Sequence, residues 1–232
     1  MGAVAAPLML FDLDGTLLDH DAAEAAAITG WIRDAGFPTE VDGVPSTEVW
    51  RQVSEAGFEE YFRGRTTFAG QRRARLRLFL PQMGLDVGGM TDEDLDTQFR
   101  EYGDRYHEAV RPFPDVTDCL TRLAGTHRVA VLTNGDQAKQ EDKLTRAGLA
   151  GLVEAVIASS TLGVAKPEAE AFRAAVGRLG ASVATTVYVG DRLDIDARAA
   201  TAAGLTGIWL NRTGDRMDPG DIRTITTLAS LP

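Results

Sequence analysis

The sequence predicts an α/β protein: a doubly wound, Rossmann-like parallel sheet core with a small all-helical cap domain inserted after the first strand. Three observations predict it. The apolar run Pro7-Leu8-Met9-Leu10-Phe11 drives into Asp12-Leu13-Asp14-Gly15-Thr16, as a buried strand ends in a turn. From Asp19 to about Glu108 no segment has convincing strand character, and helical spacing dominates. From Pro112 onward apolar runs alternate with helical patterns, which implies a parallel sheet with helices on both faces. The core is therefore placed at residues 1–18 and 109–232, and the cap at 19–108.

Within the cap, residues 22–35 are Ala-rich, and Ile28, Trp31 and Ile32 give helical spacing. Asp21 is a natural N-cap there and Gly36 a natural stop. Residues 46–57 repeat the pattern, and an aromatic-rich stretch follows. Residues 67–83 read as a helix with a basic face (Arg72, Arg73, Arg75, Arg77) and an apolar one (Leu76, Phe79, Leu80, Met83). Thr91 begins another helix, with Asp94 where a capping box places Glu or Gln; Leu95, Phe99, Tyr102 and Tyr106 share one face.

In the core, strands are expected at 128–133, 153–158, 185–189 and 207–210, each rich in β-branched or apolar residues. Helices are expected at 116–124, 139–147, 167–179 and 194–203, several closed by glycine. Residues 211–232 are mixed, with a turn at Asp218-Pro219-Gly220 and a short terminal helix.

Composition narrows the function. The chain of 232 residues carries a net charge of −10, which argues against nucleic-acid binding through a basic face. Its single cysteine, Cys119, excludes a disulfide framework and falls on an apolar stripe. No apolar run is long enough to span a membrane, and residues 1–6 lack the basic start of a signal peptide, so a cytoplasmic protein is expected.

In open α/β sheets ligands bind beyond the carboxyl ends of the strands. The first expected strand ends in Asp12, the second in Thr133-Asn134-Gly135, and the strand at 185–189 in Gly190-Asp191, followed by Asp194 and Asp196. Lys166 precedes the helix at 167. Asp12 and Asp14, at i and i+2, face one side while the backbone stays extended. Paired carboxylates repel unless a cation or shared proton lies between them, which points to a hard ion, Mg²⁺. Each group also has an ordinary structural explanation as a turn, cap or solvated side chain. Their convergence on one sheet edge favours chemistry: carboxylates for a cation, and a hydroxyl, an amide and an ammonium for a phosphoryl group.

Four stretches, Asp12-Leu13-Asp14-Gly15-Thr16, Leu132-Thr133-Asn134-Gly135, Lys166-Pro167 and Gly190-Asp191-Arg192-Leu193-Asp194-Ile195-Asp196, occur in this order. Together they resemble the haloacid dehalogenase superfamily of hydrolases, and the helical insert resembles its C1-type cap. The resemblance implies Asp12 as nucleophile and Asp14 as general acid/base. It implies Thr133, Asn134 and Lys166 at the phosphoryl group, with Lys166 also steadying Asp12. Mg²⁺ would lie on Asp12, the Asp14 backbone carbonyl and Asp191, supported by Asp196, with Asp194 as the other candidate acid. Dehalogenases of this fold resemble the chain but lack an acid at the Asp14 position, because a halide leaves without a proton. A phosphate ester needs one. The expected activity is therefore an Mg²⁺-dependent phosphatase acting on a small phosphorylated metabolite, of nucleotide or sugar phosphate type. A monomer or homodimer is expected, with no nucleic-acid or membrane partner.

A phosphomutase or dehalogenase of the same fold is the alternative within the family. Outside it, the alternative is a non-hydrolytic phospho-acceptor or a silent binding protein. Receiver domains share the chemistry but not the motif order, the second Asp or the insert. In the cap, Arg63, Arg65, Arg72, Arg73, Arg75 and Arg77 either reach an anionic substrate group or form an exposed basic face. Trp50, Phe58, Tyr61, Phe62 and Phe68 either stack on a base or pack the core.

Overall fold

The computed structural model describes residues 6–232, apart from the side chain of Phe62. It separates into two compact units, residues up to His20 with Val110–Pro232, and Asp21–Ala109.

The first strand, β1 (Leu8–Phe11), is wholly buried. Four helices follow: α1 (His20–Ala35), α2 (Ser46–Phe62), α3 (Phe68–Phe79) and α4 (Asp92–Ala109). Between α1 and α2 lies a two-residue antiparallel ribbon, β2 (Glu40–Val41) and β3 (Val44–Pro45), so the insert is not purely helical. A pairing this short buries no apolar face and leaves no periodicity to read. The aromatic-rich stretch at 58–62 is the continuation of α2, and α3 stops at Phe79, before Pro81 and a 3₁₀ turn at Leu80–Met83.

The insert packs around aromatic rings. Trp31 and Trp50 lie 5.8 Å apart, Trp50 and Phe79 5.1 Å, and Trp50 and Tyr102 4.6 Å between centroids. The first two are edge-to-face and the third tilted, and aromatic contacts of this kind add to the burial term. Helix α4 starts in a reciprocal cap: Thr91 N donates to Asp94 Oδ2 at 2.8 Å and Asp94 N to Thr91 Oγ1 at 3.2 Å. Asp thus serves where Glu or Gln is usual.

The core continues with α5 (Val116–Leu123), β4 (Arg128–Thr133), α6 (Gln137–Arg146), β5 (Ala155–Ala158), α7 (Ser159–Leu162) and α8 (Ala169–Arg178). After β6 (Thr186–Gly190) the chain makes a wide π-type turn at Leu193–Arg198, then α9 (Ala199–Ala202), β7 (Thr206–Leu210) and β8 (Arg223–Ile225). The expected α-helix from Asp194 is therefore a π-type segment with one short α-turn. The mixed C-terminal stretch supplies a sixth strand and a 3₁₀ turn at Leu228–Ser230.

All six core strands are parallel, in the order β5-β4-β1-β6-β7-β8. Leu8 and Leu10 of β1 share a buried cluster with Leu132, Tyr188, Phe172 and Val176. The order places β1 in the middle, and the chain crosses back over it between β5 and β6. That reversal is where an α/β sheet opens a crevice.

Candidate active site

Because β1 lies between β4 and β6, the carboxyl ends of these three strands are neighbours. Asp12 leaves β1, and its N–H donates to Val189 O at 2.9 Å. Thr133 ends β4 and is buried. Asp191 follows Gly190, the last residue of β6.

Lys166 enters from the loop after α7. The Asn134 side chain clamps its backbone: Asn134 Nδ2 donates to Lys166 O at 2.9 Å, and Lys166 N donates to Asn134 Oδ1 at 2.9 Å. The amide expected to meet substrate is thus engaged at both ends in bracing Lys166. From this seat Lys166 Nζ donates to Asp12 Oδ1 at 2.5 Å, Asp196 Oδ1 at 2.6 Å and the Tyr188 hydroxyl at 2.8 Å. The Tyr188 O–H lies 3.0 Å from Asp196 Oδ1 and 3.2 Å from Leu132 O.

Asp191 is oriented by Thr16, whose Oγ1 accepts from Asp191 N at 3.0 Å and donates to Asp191 Oδ1 at 3.2 Å. Trp209 Nε1 donates to Asp191 O at 2.8 Å. Asp196 Oδ2 accepts from Arg192 N at 3.0 Å. Two glycines make room. A Cβ on Gly15, whose φ is +85°, would come within 2.5 Å of Asp191 Oδ2, and one on Gly190 within 2.4 Å of Asp196 Cγ.

Asp12, Asp191 and Asp196 each offer an oxygen, all within 4.8 Å of one another. Asp194 stands apart: it is exposed and accepts from Arg198 Nη1 at 2.5 Å. Burial pushes Asp12 well above the ordinary carboxylate range, and repulsion from Asp196 and Asp191 adds to it against the pull of Lys166. Burial, then repulsion from Asp196, pushes Asp191 up to about 6. Burial works against the charge on Lys166, but Asp12 and Asp196 outweigh it and raise its pKa. One ammonium among three ionised carboxylates leaves two negative charges. An all-oxygen donor set with that imbalance fits a hard divalent cation such as Mg²⁺.

Asp14 does not share this cluster. The regular strand ends at Phe11, so two-residue alternation does not carry the Asp14 side chain to the same partners. Its Oδ2 accepts from Lys143 Nζ at 2.6 Å, and its Oδ1 is buried with no hydrogen-bond partner among the described residues. Burial raises the Asp14 pKa, but Lys143, helped by His20, brings it below the ordinary value.

The insert's arginines have partners of their own. Arg63 pairs with Glu59, Arg65 with Glu60, and Arg73 and Arg77 with Asp92, as the exposed-face alternative requires. Arg72 lies over Phe68 at 4.2 Å. Arg75 is 2% exposed, donates to Ser54 Oγ at 2.5 Å and lies over the Trp50 ring at 4.4 Å. Trp50 is enclosed, and Tyr61 packs edge-on to Phe68 at 5.5 Å. Phe58 lies 5.2 Å from the Arg75 guanidinium; the Phe62 side chain is outside the described residues.

A family model described as haloacid dehalogenase-like hydrolase matches residues 7–204, most of the chain. This chain belongs to that family. A relative, the glyceraldehyde 3-phosphate phosphatase of Methanopyrus kandleri, is 29% identical over 208 residues, covering 88% of this chain and 83% of the relative. The crystal structure of magnesium-bound YfnB from Bacillus subtilis superposes with a TM-score of 0.80 at 24% identity, covering 98% of this chain and 97% of that one. The 2-haloacid dehalogenase of Pseudomonas syringae superposes with a TM-score of 0.68 at 26% identity, covering 98% and 96%. Solved structures sharing the fold are named both phosphatase and dehalogenase, so side chains must decide between them.

As a haloacid dehalogenase-like hydrolase, the chain is an enzyme whose Asp12, Lys166, Asp191 and Asp196 are brought together as the motifs imply. Sequence reasoning missed Thr16, Lys143, Tyr188 and Trp209. Thr16 was visible as the last residue of the first motif. Lys143 had a subtler signal, a lysine at helical spacing with Gln140 and Leu144 on the buried side of α6.

The raised carboxylates give a pH-dependent expectation. A carboxylate whose folded pKa lies above its unfolded value costs stability once ionised, and that cost grows as pH climbs through about 6. A cation repays it only where the carboxylates are ionised. Saturating Mg²⁺ should therefore raise Tm more at about pH 7.5 than at about pH 5, as read by thermal unfolding with and without chelator. Equal gains at both pH values would contradict the assignment.

Proposed function

We propose that this hydrolase is an Mg²⁺-dependent phosphatase that cleaves a small-metabolite phosphate monoester through an aspartyl-phosphate on Asp12. The observation that carries the reading is Asp14: a second, half-buried carboxylate, two residues from the nucleophile, with one oxygen anchored and the other buried with no partner among the described residues. Expulsion of an alkoxide needs such a proton donor, and expulsion of a halide does not.

Asp12 is steadied by Lys166 and attacks phosphorus; the bond to the substrate oxygen breaks as that oxygen takes a proton from Asp14. A phosphate dianion beside Asp14 opposes the pull of Lys143 and raises its proton affinity. Water then attacks the aspartyl-phosphate and gives its proton to Asp14. Inorganic phosphate departs and the Asp12 carboxylate is restored. Lys166 and the Thr133 hydroxyl hold the phosphoryl oxygens. Asp12, Asp191 and the Asp14 backbone carbonyl, with Asp196 beside them, would hold Mg²⁺, which supplies charge neutralisation at the phosphoryl group.

Relatives are named for a triose phosphate and for pyrimidine nucleotides alike. The enclosed Trp50 is unsuited to stacking on a base, which favours sugar-type phosphates over nucleotides. The test is turnover of an aryl phosphate with Mg²⁺ and with chelator, then of triose phosphates, pentose phosphates and nucleoside monophosphates. Metal-dependent phosphate release is expected, with sugar phosphates preferred. Halide release from 2-chloropropionate without phosphatase turnover would overturn the reading.

A further inference from the structure

We infer that Lys143 is a positioning residue of this site: it holds one oxygen of Asp14 so that the other faces the proton-transfer partner. The inference rests on the phosphatase reading and adds a residue that none of the four motifs contains.

Lys143 and Asp14 are 129 residues apart in the chain, yet Lys143 Nζ meets Asp14 Oδ2 at 2.6 Å. This is not a surface ion pair. Lys143 is 8% exposed, on the buried stripe of α6 with Gln140 and Leu144. Enclosing an ammonium is costly unless a carboxylate compensates it, and Asp14 supplies that compensation to Lys143.

The helix presenting Lys143 is itself fixed. Asp136 caps it, accepting from Lys139 N at 3.2 Å. Gln137 ties its first turn to β5: Nε2 donates to Val156 O at 2.7 Å, and Oε1 accepts from Ala158 N at 2.8 Å. Asp14 sits past the end of β1, just before the left-handed turn at Gly15, where an isolated bridge to Leu18 holds its backbone but not its side chain. A rigid element thus orients a carboxylate whose side chain the backbone pairing does not fix. With Oδ2 taken, Oδ1 is the oxygen that gives the proton to the leaving group and takes one from water.

The test compares kcat/KM of the wild type, Lys143→Met and Lys143→Arg on two esters measured on one preparation. Glycerol phosphate has an alkoxide leaving group that needs a proton; dinitrophenyl phosphate has one that leaves without it. For Lys143→Met the expected loss is about 10²-fold on glycerol phosphate and under about threefold on dinitrophenyl phosphate. Lys143→Arg, which keeps a cationic donor, should recover most of the loss. Any reduction in folded protein cancels from the ratio of the two substrates, so a merely structural role cannot produce the selectivity. Equal loss on both esters, or none on either, overturns the inference and leaves the phosphatase reading standing. Absence of Mg²⁺-dependent turnover of either ester by the wild type overturns the phosphatase reading, and the inference with it.

Discussion

Asp12→Asn should lower phosphatase turnover by at least about 10⁴-fold while the far-ultraviolet circular dichroism stays that of the wild type. The amide keeps the shape of the carboxylate but cannot form a stable acyl phosphate. The fold should survive, because Asp12 is a site of electrostatic cost and not of support. Its pKa is driven up by burial and by Asp196 and Asp191, so at neutral pH its ionised form opposes folding. Asparagine removes that charge, and Lys166 keeps Asp196 as partner at 2.6 Å. The metal-free variant should therefore unfold no earlier than the wild type at about pH 7.5. Activity and stability move apart, which a core defect could not produce. Steady-state kinetics with thermal unfolding checks both halves.

Lys166→Met should have the opposite stability signature. Among the described residues its ammonium is the one cation that hydrogen-bonds Asp12, Asp196 and Tyr188 together. Removing it leaves buried carboxylates uncompensated, which costs about 3–5 kcal/mol in comparable buried pairs. The loss should be greatest at neutral pH and shrink as acid protonates the carboxylates, because the variant's carboxylates bind protons more readily when folded than when unfolded. Turnover should fall by at least about 10²-fold, since Lys166 both steadies the nucleophile and neutralises the phosphoryl oxygens. Denaturant unfolding at two pH values, with kinetics in Mg²⁺, separates the two effects. Full stability at neutral pH would show that the ion pairs contribute little.

The sheet was legible where strands are long and apolar. The runs ending at Phe11, Thr133, Gly190 and Leu210 each announce a buried strand, and their tips locate the site. β8 was not legible: of its three residues only Ile225 is buried, so it carries no apolar run. The ribbon at 40–45 was hidden for the same reason. At the site, Asp12, Lys166 and Asp191 could be placed because strand tips and a loop position them. The choice between Asp194 and Asp196 could not, since it depends on a π-type turn in a segment that reads as an α-helix. That turn leaves Asp194 with Arg198 at the surface and brings Asp196 to Lys166. Asn134 was chemically suited to substrate, but a long-range contact assigns its amide to the Lys166 backbone. Lys143 meets Asp14 only through the packing of α6, and no local pattern names that partner. Short-range chemistry was therefore readable from sequence, whereas the second layer of supporting contacts needed the fold.

During turnover Asp12 should carry the phosphoryl group. Acid-quenching the enzyme within the first turnover on a phosphate monoester, then locating the modification by peptide mass spectrometry, tests it most directly. The expected result is the added mass of one phosphoryl group on Asp12, absent when Mg²⁺ is chelated and absent in Asp12→Asn. Phosphorylation at another residue, or undiminished turnover by Asp12→Asn, would contradict it.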